Sequence, residues 1–133
     1  GNGTLMPQTF IEEPITPRAK GFIEAYHKVY KVKRIPSPVS AAQGYDAVYL
    51  FAAAVKQAQS TDTKKIKLAL EDLKKPVKGM IATWTHPFSK WNPANELTHE
   101  AFRRENAVMG MVKDGRVVFG NKADRKRLIM QAK

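Results

Sequence analysis

The sequence contains no cysteine. That excludes disulfide staples, thiolate zinc sites and a cysteine nucleophile, and it leaves the redox compartment open. Long hydrophobic runs are missing too: no segment approaches the roughly 18 apolar residues that a membrane-spanning helix needs. The start, Gly1 to Thr4, shows no charged stretch followed by an apolar one, so it does not read as a signal peptide. The expectation is a cytoplasmic chain or one whose natural start lies upstream. Acidic residues are scarce: 12 Asp and Glu stand against 23 Lys and Arg, a formal charge of +11. Such an excess suits anionic partners. The bases are spread in short groups, around Lys64 to Lys67, Lys74 to Lys78 and Lys122 to Arg127, with no dense basic tail. A solvated basic surface is therefore the plainer reading.

Enzymatic signatures are absent as well. No nucleophile with an attendant base, no paired-carboxylate motif and no Gly-rich phosphate loop appears, and "GNGT" at the start does not follow a strand. His27, His86 and His99 lack metal-ligand spacing. No catalytic residue, metal or cofactor is expected. What is present is a sizeable apolar fraction, 43% of 133 residues, enough for the core of one domain.

Residues 5–10 read as an extended segment that Pro7 confines to a sheet edge or strand start. Thr16 and Pro17 supply a helix cap and first residue. Ala19, Phe22, Ile23, Tyr26 and Tyr30 then recur at helical spacing. Residues 32–40 carry Pro36 and Pro38 and read as a stiff extended connector. A second helix from about Ala47 to Ala58 is apolar almost all round. A third, capped at Asp62, buries Ile66, Ala69, Leu70 and Leu73 and ends by Pro76. Met80 to Trp84 reads as a strand. Residues 85–104 form a long aromatic loop, Ala107 to Val112 and Val117 to Phe119 a hairpin turning at Asp114-Gly115, and Lys122 to Ala132 a basic helix. Three or four short strands cannot cover an all-round apolar helix. The pattern implies part of a larger α/β protein, or a chain completed by a partner.

The ordered series "FIEAYHKVY", proline connector, "GYDAVYLFAAAVKQA", "STDTKKIKLALEDL" and "VMGMVKDGRVV" resembles the C-terminal part of the leucine-binding type (type I) of periplasmic solute-binding proteins. These serve ABC transporters for branched-chain amino acids and related compounds. The resemblance covers roughly residues 5–120, with Tyr45-Asp46-Ala47 its best marker. It implies an α/β fold: the C-terminal portion of a two-lobed binding protein with Rossmann-like lobes. Residues 1–36 would end the second lobe, 37–105 would hold the hinge crossing and part of the first lobe, and 106–133 would return to the second lobe and a tail. Tyr45 and Asp46 would open a first-lobe helix.

The implied ligand contacts are Ser40, Gln43 and Tyr45. The implied function is periplasmic capture of a small carboxylate, an amino acid or aromatic acid, by hinge closure before a membrane permease. A second reading is a small basic nucleic-acid-binding module, carried by the charge and by the aromatic group Trp84, His86, Phe88 and Trp91, which could stack bases or an aromatic ligand or simply form a satellite core. The scattered charges argue against that module, so nucleic acid is not expected as a partner. A sensor domain on the same fold is a third. Uncovered apolar faces imply self-association.

Overall fold

The computed structural model describes residues 1–132. The chain divides into two compact units, Gly1–Ala42 with Ala107–Lys133, and Gln43–Asn106.

The first unit is built on a three-stranded antiparallel sheet of strands β1 (Leu5–Gln8), β4 (Val108–Lys113) and β5 (Arg116–Phe119), in the order β1-β4-β5. Pro7, opposite Met109, stands on the edge strand, where its missing N–H breaks no ladder. Asp114 and Gly115 turn the β4–β5 hairpin with φ of 49° and 73°. Two consecutive left-handed residues give the turn whose twist matches its strands, and Asp-Gly tolerates it. Asn2 braces the turn by accepting from the Asp114 amide at 2.8 Å.

Helix α1 (Pro17–Tyr30) starts as its pattern predicts, with the Thr16 hydroxyl accepting from the Ala19 amide at 3.1 Å. It buries Ala19 and Ile23 and sets Phe22 edge-on to Phe10, with centroids 5.5 Å apart. Glu12 ties the segment beyond β1 to α1 and to the connector after it. It accepts from His27 Nε2 at 2.7 Å and from the Ile35 amide at 3.1 Å, fixing the fully buried Ile35. Helix α4 (Lys122–Gln131) is capped by Asn121. Its Asp124 accepts from the Met109 amide at 2.9 Å.

Helix α2 (Pro38–Ala58) starts earlier than expected. The connector stops at Ser37, because a proline at the first helical position lacks only an N–H that the helix leaves unpaired anyway. Ser40 is therefore helical and not part of an extended crossing. Nor is α2 buried all round: Ala42, Asp46, Leu50 and Ala54, at intervals of four, are buried, whereas Val48, Tyr49 and Phe51 are 66%, 49% and 54% exposed.

The second unit takes α2 from Gln43 onward, α3 (Thr63–Glu71), the two-residue strands β2 (Val77–Lys78) and β3 (Thr83–Trp84), and a long loop. Asp62 caps α3, accepting from the Lys65 amide at 3.0 Å. The α3 C-terminus is closed by Gln57 of α2, which donates to the Asp72 carbonyl and accepts from the Lys74 amide, both at 2.9 Å. Ala54, Ile66 and Ala69 form one core cluster, and Leu50, Leu73, Val77 and Trp84 the other. The strand expected over Met80 to Trp84 shrinks to Thr83–Trp84 paired with Val77–Lys78. The loop is punctuated by two 3-10 turns, Glu96–His99 and Arg104–Asn106.

Candidate ligand-binding site

The second unit is organised around buried carboxylates, first that of Asp46. Asp46, 3% exposed, accepts from the amides of Met80 and Ile81, the latter at 3.0 Å, and from Trp84 Nε1 at 2.8 Å. This explains the shortened strand: the Met80 and Ile81 amides serve a side chain instead of a ladder. It also corrects the placement of Asp46 at a helix start, since Asp46 lies well inside α2. Burial pushes its carboxyl above the ordinary 3.8, while hydrogen bonding to the ionised form from Met80, Ile81, Trp84 and Ala82 pulls the other way. Gly79 makes the approach possible: a Cβ there would sit 2.3 Å from Asp46 Oδ2.

Beside this network lies a groove of about 510 Å³. Ala47, Leu50 and Phe51 of α2 line it together with Ile81, Trp84 and Phe88. Gln43, Asp46 and Glu100 are its polar groups. A carboxylate clasp holds the loop that supplies Phe88. Glu71, at the end of α3 and 7% exposed, accepts from Lys67 Nζ at 2.6 Å, His99 Nε2 at 2.8 Å and the Trp91 amide at 3.3 Å. The hydrogen bonds from Lys67 and then His99 hold its carboxyl down to about 2. Neighbouring Asp72 is lowered by the Lys74 ammonium.

Of the residues singled out from sequence, Ser40 is exposed in the first turn of α2 and belongs to the first unit, its hydroxyl accepting from that of Ser37 at 2.8 Å. Gln43 is exposed on the groove, and Tyr45, half-buried, stacks on Tyr49 at 4.5 Å between centroids. The aromatic quartet separates. Trp84 and Phe88 line the groove, Trp91 packs on His99 at 5.3 Å, and His86 faces Asp72 at 3.9 Å. Sequence reading did not anticipate that each histidine meets a carboxylate, since the partners lie 14 to 28 residues away. It also missed Glu71, which gives no signal beyond an ordinary amphipathic helix. Among the described residues no group of three or more His, Asp or Glu is placed to hold a metal ion, and no helix is long and apolar enough to cross a membrane. The arrangement offers contact and hydrogen bonding, the chemistry of reversible binding.

The model of the periplasmic binding protein family matches residues 1–103, more than half of the chain, and the chain belongs to that family. No curated protein and no solved structure matches it. The mixed helix-and-strand architecture is compatible with a portion of the family fold. Membership points to a solute-binding, transport-related role at an extracytoplasmic location, with a small-molecule ligand and transporter partners, and it does not favour the nucleic-acid module.

Proposed function

We propose that the chain is part of the extracytoplasmic solute-binding component of an ABC transporter of the leucine-binding type, which takes a small carboxylate by hinge closure and presents it to a membrane permease. The family match over residues 1–103 carries this reading. The division of the chain supports it: residues 1–42 group with 107 onward, and 43–106 separate. That grouping suits an assignment of 1–36 to the end of the second Rossmann-like lobe, 37–105 to the hinge crossing and part of the first, and 106–133 to the return to the second lobe and a C-terminal tail. The formal charge of +11 favours encounter with anionic solutes such as amino acids or aromatic acids.

Ser40, Gln43 and Tyr45 are the proposed ligand contacts in this chain. Ser40 and Gln43 present hydrogen-bonding side chains on the exposed surface of α2. The test is calorimetric titration with a panel of amino acids and aromatic acids, repeated on Ser40→Ala and Gln43→Ala. Saturable binding by one carboxylate, weakened about five- to tenfold by loss of a hydrogen bond at either position, is the expected result. A carboxylate that binds unchanged in both variants removes them from the site, and failure of the whole panel removes the carboxylate assignment.

A further inference from the structure

We propose that the groove of the second unit binds a small aromatic molecule that is neutral or cationic. The inference goes beyond the transport reading: the groove shares only Gln43 with the contacts proposed there, and the ligand it takes is not an anion. Four observations carry it.

The first is size: about 510 Å³ falls within the ~300–1,000 Å³ of small-molecule sites. The second is the wall. The Asp46 hydrogen bond at 2.8 Å holds Trp84, which is 8% exposed, in one orientation. Phe88 lines the groove from a loop that Glu71 fastens through the Trp91 amide and His99. A preorganised aromatic wall binds without a new ordering cost.

The third is the sign of the charge. In a chain of +11, the groove has Asp46, Glu100 and Gln43 as its polar groups, with no Lys, Arg or His among the described residues that line it. An anion entering there would be desolvated against two carboxylates. Asp46 is spent on its three donors, whereas exposed Glu100 accepts from the Phe102 amide at 3.1 Å and keeps capacity for a ligand ammonium or hydroxyl. The fourth is the rim: Phe51 and Phe102 stay 54% and 37% exposed, apolar surface for a ring to cover.

The test uses one ring with three charges: 1-naphthylmethylamine, 1-naphthalenemethanol and 1-naphthoate, followed by NMR through the two tryptophan indole N–H signals. The amine and the alcohol are expected to shift the Trp84 signal saturably, leave Trp91 in place, and bind at least about tenfold more tightly than the carboxylate. Phe102→Ala, at an exposed position that leaves the fold intact, is expected to weaken both by about three- to tenfold through lost aromatic contact. Glu100→Gln is expected to weaken the amine alone, by about two- to fivefold as for a rim ion pair. Equal or tighter binding of 1-naphthoate overturns the proposal. So does an unshifted Trp84 signal at millimolar probe, and so does a Trp84 signal that moves with protein concentration instead, which would assign the groove to a second copy of the chain.

Discussion

Replacing Gly79 by alanine tests the Asp46 network most sharply. An alanine Cβ would lie 2.3 to 2.5 Å from all three atoms of the Asp46 carboxyl group. Those atoms are not the free end of a flexible chain, because they are held by the Met80 and Ile81 amides and the Trp84 indole. Making room moves the carboxylate off its donors. A buried donor left unpaired costs about 1–3 kcal/mol. With one buried indole and two half-buried amides, the loss is about 3–5 kcal/mol, a large share of a domain's usual stability. Urea unfolding followed by tryptophan fluorescence measures it. Asp46→Ala alone should cost a similar amount, since it strands the same donors. The two should not add: with the carboxylate gone, Gly79→Ala should cost less than about 1 kcal/mol further. Additive losses would show that the clash and the hydrogen bonds are separate matters, and the network argument would fail.

Gly21, in α1 with open space where a Cβ would stand, gives the opposite expectation: Gly21→Ala should raise stability by about 0.5–1 kcal/mol in the same urea assay. Glu71 fixes an acid limb. Its folded value of about 2 lies below its ordinary 4.5, so its stabilisation is complete above 4.5 and is lost as pH falls through about 2. Urea midpoints across that range should fall for the native chain and flatten for Glu71→Gln, and parallel curves would count against the clasp. Asp46 acts in the reverse sense: because its value is raised, its burial weighs more heavily as pH climbs above 3.8. Glu12→Ala should leave the Ile35 amide unpaired, cost about 1–3 kcal/mol and speed exchange of that amide, read by hydrogen-exchange NMR.

Local chemistry was readable from the sequence wherever one or two adjacent residues decide the outcome. Thr16-Pro17, Asp62 and Asp114-Gly115 each mark a cap or turn where the structure has one. Pro7 stands on the edge strand for the same reason. Reading failed where a distant residue intervenes. Met80 to Trp84 has the composition of a strand, but Asp46, 34 residues earlier, takes the amides a strand would use. Pro36 and Pro38 look alike in sequence, yet one lies within the connector and the other opens α2, a difference set by position and not by residue type. The apolar excess of α2 was legible, but which face stays open was not: Asp46 sits on the buried line while Val48 and Tyr49 face solvent. In the groove, Trp84 and Phe88 were among the aromatics noticed, and Gln43 among the candidate contacts. Their convergence with Glu100 depends on the Glu71 clasp, whose members are separated by up to 28 residues.

The central claim is that this chain belongs to a protein that captures a solute by closing on it. Small-angle scattering of the protein isolated from its natural host, with and without a saturating small carboxylate found by calorimetry, measures that directly. The account predicts saturable binding with a smaller radius of gyration in the bound state. A radius unchanged by every carboxylate in the panel, with strongly salt-dependent binding of nucleic acid in its place, would contradict it.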